Sequence, residues 1–499
     1  MMPLSLLIAL ILAFGMEPPR VGIPAPDVGV RVLKTCGGVT LIAGLAFGLG
    51  LWVAVRVSQN GLATLRLRRR YALGVRLLTV VSLVVYGWII HGVGWSRVVR
   101  SNWGLRDWIL LDDLMVLLPY LLIQLLNWWG LFFAERSLQI RADSGPASRL
   151  GRYLVLRSRQ SFGLILPVIL LFVIRRDVLA RFWPSWNDSL WAEPLEIAVL
   201  GALVLMASPL FVRLAWPTRS LPAGALRRRL ERVAHRVGFR FTDILVWDTG
   251  GMMLNACVTG VLPGFRYVLL TDALIETMSP LEVAAVFGHE IGHVAHRHLL
   301  YLGFFFVGSL GVLSLLADGV AAGVAVLARS AWVPAWSPLQ SGAAVEAVIL
   351  LALLGLYFWL VFGYLSRRFE RQADVFGSKV VSCDLPGCPP HTDLDGDLLS
   401  QPDRARAVPP TLCPVGIRIF AEALATVARA NGLERTWRSW RHGSIAGRIA
   451  FLEGLRDSEH ERRFQRGVRR LCWALGIVLT LALFTACWLS LSPLSVVLE

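Results

Sequence analysis

"VFGHEIGHVAHRHLLYLGFFFVG", residues 286–308, carries six ionisable or metal-binding side chains and then runs without a break into an apolar stretch. Buried imidazoles and carboxylates need partners, whereas a lipid-facing run must offer none, so a polar helix meets a membrane here. The residues just before it supply a helix start. Ser279 is placed as the N-cap, Pro280 at the first helical position, and Glu282 completes a capping box. His289 and His293 are four residues apart on that helix, so both imidazoles point to one face and can share one metal ion. Glu290 sits beside them, placed to hold a water molecule.

The rest of the chain agrees with a membrane setting. Of its 499 residues 55% are hydrophobic and only 17% are charged, which excludes an ordinary soluble domain. Apolar runs of spanning or near-spanning length lie at Gly38–Val55, Leu73–Trp95, Ile109–Phe133, Phe162–Ile174, Leu195–Trp216, Leu299–Leu327, Ala344–Leu365 and Leu471–Leu491. That makes about eight spans. Leu4–Phe14 is a shorter run without the basic start and small-x-small site of a cleaved signal, and reads as a first span or signal anchor.

Arginine sets the expected orientation, because cytoplasmic loops retain Lys and Arg. With the spans alternating, "LRLRRR" (65–70), Arg136–Arg159 and Arg219–Arg240 fall on one side, while 328–343 on the other holds only Arg329. The first side is expected to be the cytoplasm. The formal charge of +16 then reflects topology and attraction to anionic headgroups, and no nucleic-acid motif accompanies it.

Two polar stretches, 217–298 and 366–470, share the arginine-rich side and are expected to form one catalytic domain. They divide the chain into 1–216, 217–298, 299–365, 366–470 and 471–499. In the first, 240–249, 252–260 and 265–274 read as strands, the last two joined as a hairpin around Leu262-Pro263-Gly264.

A catalytic zinc needs three protein ligands and an open position. His296 lies seven residues beyond His289, about 10 Å along a straight helix, too far to join it on one ion. His296 and His298 are therefore assigned to supporting, interfacial or solvated positions. A better third ligand stands in "SRRFERQADVFG" (366–377), where Glu370 and Asp374 occupy adjacent turns of one face. Asp374 can accept a hydrogen bond from a ligating imidazole.

HExxH, two spans, then "FERQAD" resembles the membrane zinc metalloproteases of the CAAX prenyl protease and HtpX heat-shock type. Four pieces carry the resemblance: "LNACVTG" (254–260), "HEIGH" (289–293), "FERQADVFG" (369–377) and "HGSIAGRIAFLEGL" (442–455). It implies an α-helical polytopic membrane protein with a small α+β zincin-type (gluzincin) catalytic domain. His289, His293 and Glu370 would hold one Zn2+, with Glu290 as base and Asp374 and Arg448 in support. Asn255 and Ala256 would pair with substrate backbone, and His442 would act near the zinc. Where the family often has His-Pro, this chain has His442-Gly443, an expected loosening of the local backbone. The resemblance implies hydrolysis of membrane-associated or misfolded polypeptides at the cytoplasmic face, or CAAX-type trimming of lipidated C-termini.

Other readings compete. A transporter would use Asp112, Asp113 and Asp318, and an inactive scaffold would keep a vestigial site. Cys383, Cys388 and His391 border a Pro-rich acidic insertion and offer donors for a second, structural zinc, although the spacing is not a standard knuckle.

Overall fold

The structure is a computed structural model. It describes residues 2–15, 25–60, 65–138, 150–161, 192–328, 349–383 and 412–491, apart from positions 109, 152, 160, 252, 350, 351, 354, 432, 456 and 457. The expected span Phe162–Ile174, the start of Ala344–Leu365, and the insertion with Cys388 and His391 lie outside the described residues. The chain divides into two compact units, one made of Met1–Leu221, Phe241–Leu254 and Thr259–Ala273, the other of Pro222–Arg240, Asn255–Val258 and Leu274–Glu499.

The first unit is built on helices α1 (Met2–Leu10), α2 (Val28–Asn60), α3 (Leu65–Gly87), α4 (Leu111–Leu138) and α5 (Ala192–Ala215). α2 and α4 touch backbone to backbone, since a Cβ added at Gly50 would stand 1.9 Å from the carbonyl oxygen of Gly130. Without a hydrophobic drive in lipid, such close approach at small residues is what holds spans together. Arg100 is fully buried and bonded to Asp112 and Asp113 at 3.0 and 3.1 Å, which ties up two carboxylates that a transport pathway would need.

A small sheet follows. β1 (Thr218–Ser220) runs antiparallel to β2 (Asp243–Trp247), and β2 runs parallel to β4 (Tyr267–Thr271), Asp243 facing Tyr267 and Trp247 facing Thr271. β1 was not expected, because three residues, Thr-Arg-Ser, carry no readable alternation. β3 (Ala256–Thr259) straddles the division between the units.

The second unit contains α6 (Ala225–Arg236), α7 (Pro280–Ala295), α8 (His298–Ala328), α9 (Gly363–Val380), α10 (Pro414–Ala430), α11 (Ile445–Glu453) and α12 (Ser458–Leu491). α7 starts with the capping box: Glu282 N–H donates to Ser279 Oγ at 3.3 Å, and Ser279 N–H donates to Glu282 Oε2 at 2.8 Å. Its end corrects the sequence reading. The helix does not run unbroken into the span, because Arg297 sits in the left-handed region at φ 56 and α8 starts afresh at His298. Periodicity cannot reveal this, since Arg is not a residue that signals such a turn.

α7 lies directly on α9. A Cβ at Gly288 would stand 2.9 Å from Val380 Cβ, and one at Gly292 would stand 2.9 Å from Phe376 Cβ and 3.1 Å from Ala373 Cα. On the facing helix a Cβ at Gly377 would meet the Ala285 carbonyl oxygen at 2.7 Å. The spans α8 and α12 pack in the same manner, with Gly308 against Leu479 and Gly311 against the backbone of Leu483.

Five described helices are long and apolar enough to cross a membrane: Val28–Gln59, Arg70–Val93, Leu111–Leu138, His298–Val326 and Ser458–Trp488. The protein is a polytopic α-helical membrane protein with a small sheet-containing part.

The close contact sets a test of sign. Gly292→Ala should destabilise the protein by about 1–3 kcal/mol through overpacking. Gly303→Ala, where a Cβ meets nothing within 4 Å, should be neutral or stabilise by up to about 1 kcal/mol. Thermal unfolding of both variants in detergent checks the pair.

Candidate metal centre

Four-residue spacing puts His289 and His293 on the face of α7 that meets α9, their Nε2 atoms 3.2 Å apart. Glu370 enters from α9, its Oε2 3.7 Å from His289 Nε2 and its Oε1 3.9 Å from His293 Nε2. A tetrahedral ion with bonds of about 2.0–2.1 Å separates its donor atoms by about 3.3–3.5 Å. Two imidazoles and a carboxylate suit zinc, so both spacing and donor chemistry fit the expected ion. Among the described residues this is the group whose ligand atoms all lie within 4.8 Å of one another.

Each imidazole is held from behind. His289 Nδ1 stands 3.0 Å from Asp374 Oδ1, and Asp374 is fully buried. Arg448, from α11, grips that carboxylate with Nε at 2.8 Å from Oδ2 and a second, shorter contact from Nη2 to Oδ1. An imidazole that offers its Nε2 lone pair to a metal carries its proton on Nδ1, where Asp374 can accept it.

His293 has a longer support, made by His298, for which the sequence left a supporting, interfacial or solvated place open, and by Gln372 and Gln465, which sequence reasoning did not assign. Its Nδ1 lies 2.9 Å from Nδ1 of His298, whose Nε2 lies 3.1 Å from Gln372 Oε1. Gln372 Nε2 then donates to Gln465 Oε1 at 2.5 Å. If His293 presents Nε2 to a metal, the direction of the chain follows. Nδ1–H of His293 donates to His298, Nε2–H of His298 donates to Gln372, and Gln372 donates to Gln465. His298 is buried and stacked flat on Phe369, ring centroids 4.1 Å apart. A continuous helix would have carried it away from His293, and the turn at Arg297 brings it back.

Glu290 is half-buried and accepts a backbone hydrogen bond from Val258 of β3. Asn255 and Ala256, three and two residues earlier, lead into or lie on that strand, Asn255 exposed and Ala256 half-buried. His442 places Nδ1 3.0 Å from Glu370 Oε1 while its side chain stays 47% exposed. The His-Gly pair does not loosen this loop. Gly443 adopts φ 73, closed to proline, and the loop is pinned by paired Ser439–Gly443 backbone hydrogen bonds of 2.9 Å and by Arg367 donating to the Trp440 carbonyl at 2.6 Å.

Charges follow from burial and partners. Burial, helped by His289, lowers His293 to about 3, leaving a neutral ring. For His289 burial also acts downward, but the hydrogen bond and charge of Asp374 carry it above the usual imidazole value. Burial would raise Glu370, yet His442 and Arg448 hold it well below the ordinary carboxylate range. Burial pushes Glu290 up to about 7, with His289 opposing and Glu370 adding to it. Burial next to Glu290 pushes the Cys257 thiol up to about 12, so it offers no thiolate nucleophile.

Comparison with known proteins places the site in context. Residues 220–384 match the profile of Peptidase family M48. CAAX prenyl protease 1 of Saccharomyces cerevisiae is 31% identical over 142 residues, 28% of this chain and 30% of that protein. Protease HtpX of Xylella fastidiosa is 31% identical over 168 residues, 32% of this chain and 54% of its own length. The chain thus spans about a third to about half of these relatives. The crystal structure of S. mikatae Ste24p superposes with a TM-score of 0.46 at 16% identity, over 86% of this chain and all of that one.

Supporting residues of this kind typically govern metal affinity by about 10- to 100-fold. Asp374→Asn and His298→Ala should each lower zinc affinity by that range in a chelator competition titration. His296→Ala, outside both hydrogen-bond chains, should leave the affinity unchanged.

Proposed function

We propose that this protein is an integral membrane zinc metalloendopeptidase that hydrolyses peptide bonds of membrane-associated or misfolded polypeptides at the cytoplasmic face. One observation carries the reading: two imidazole nitrogens and a carboxylate converge from α7 and α9, with a second carboxylate, Glu290, beside them. Stretches 217–298 and 366–470 would together form the catalytic part.

Zinc held by His289, His293 and Glu370 would supply Lewis acidity toward a water molecule and the scissile carbonyl. Glu290, with a carboxyl near 7 and an orienting bond from Val258, takes the water's proton and passes it to the leaving amine. His442, partly exposed beside Glu370, is placed to donate to the carbonyl oxygen as it gains charge. Asn255 and Ala256 would engage substrate main chain by strand addition, which gives affinity with little sequence preference. Asp374 and Arg448 hold His289 in position. The match to CAAX prenyl protease 1 favours, as a second reading, trimming of lipidated C-termini.

The test is cleavage of casein, a membrane-anchored substrate and a farnesylated peptide by purified protein, with chelator and with zinc restored. Zinc-free protein of undiminished activity would overturn the proposal, and the preferred substrate decides between the two readings. Glu290→Gln should keep its zinc and lose about 100- to 10,000-fold in turnover, whereas Glu370→Ala should lose zinc itself. Metal analysis beside single-turnover rates separates these outcomes.

The arginine distribution gives an independent expectation about sidedness. A cysteine at Gly443 should react with an impermeant maleimide only when the reagent reaches the cytoplasmic face. Labelling from the opposite face of intact cells would reverse the topology.

A further inference from the structure

Away from the metal centre, the second unit has a groove of about 540 Å³ between the start of α9, the end of α11 and the start of α12. Among the described residues that line it are Arg368, His460 and Arg463, and none of the described lining residues is Asp or Glu. The remainder of the wall is largely apolar and aromatic, with Phe451 and Phe464 meeting edge to face at 4.8 Å. One cavity thus joins a cationic rim to an apolar floor.

Its place along the chain says what meets it. Tyr364 lies at the end of the apolar run 344–365 and Leu471 begins the run 471–491, so by these runs both lining residues are expected where spans emerge from lipid. The basic groups therefore lie at headgroup level and the floor faces the acyl boundary. Arg368 extends across the rings of Tyr364 and Phe464, 5.1 and 5.9 Å from their centroids, and donates to the Tyr364 hydroxyl at 2.9 Å. Arg463 pairs with Glu459 at 3.2 Å, a pair 68% and 62% exposed that a phosphate can displace. At Gly467 a Cβ would meet nothing within 4 Å, so the cavity has open room there.

We propose that this groove binds an anionic glycerophospholipid, its phosphate between Arg368 and Arg463 and its first acyl methylenes on the floor formed by Phe451, Phe464 and Leu471. The volume lies in the usual range for a bound small molecule. A phosphodiester is shared with soluble phosphates, but only a lipid supplies the apolar part that the floor requires. The proposal rests on the membrane fold and not on the catalytic reading, so either can fail alone.

The test uses the full chain in detergent and native mass spectrometry with dioctanoyl phosphatidylglycerol, dioctanoyl phosphatidylcholine and glycerol 3-phosphate. Phosphatidylglycerol should bind at least about tenfold tighter than either of the others. Each arginine near a phosphate is worth about fivefold, so Arg368→Gln with Arg463→Gln should weaken phosphatidylglycerol about 25-fold. Arg462→Gln, on the same helix but outside the groove, should change nothing. Gly467→Leu, which fills the open room, should exclude the lipid while leaving both arginines, and so covers the case in which the double variant fails to fold. Equal binding of phosphatidylcholine, glycerol 3-phosphate binding as tightly as the lipid, or unchanged binding in Gly467→Leu would each overturn the proposal.

Discussion

The contact of α7 with α9 is the constraint on which the site depends. The two helices that carry the donor atoms lie with their backbones nearly touching, and Gly288, Gly292, Ala373 and Gly377 remove the side chains that would prevent it. Ligands and small residues share one stripe on each helix. Ala285, Gly288, His289, Gly292 and His293 follow the helical period on α7, as do Glu370, Ala373, Asp374 and Gly377 on α9. Packing and coordination are therefore one geometric fact.

Electrostatics completes what packing begins. Bringing Glu370 and Asp374 into a buried site costs desolvation that neither would bear alone, and Arg448 offsets it by contacting both, at 3.5 Å and in a paired contact respectively. Asp374 then faces His289, while Glu290 keeps a raised carboxyl close by. Carboxylates and imidazoles from two distant stretches of chain thus differ in how readily they hold a proton because their neighbours differ, which is the condition for dividing ligand and base roles among them.

The same unit ties this site to membrane helices. His298 is the first residue of one span and Gln465 lies in the first turns of the helix leading into another, and both belong to the hydrogen-bond chain behind His293. A shift of α8 or α12 would act on the orientation of that imidazole. The break at Arg297 makes the link possible, since it turns the chain so that His298 reaches back under α7.

Much was legible in the chain itself. Membrane class followed from composition, the capped helix from Ser279, Pro280 and Glu282, and the pairing of His289 with His293 from spacing, because each rests on local chemistry or on a period of one helix. Bringing Glu370 to those histidines required a resemblance, since 76 residues separate it from His293 and no local rule spans that distance. Asp374 was expected behind an imidazole, whereas tertiary structure alone decided the chain behind His293. His298, Gln372 and Gln465 carry no motif, and a straight helix would have placed His298 on the wrong side. A left-handed arginine and contacts among four separate helices set their positions, and these arise only when the whole unit packs, because hydrogen-bond geometry depends on where side chains end and not on where they lie in the chain.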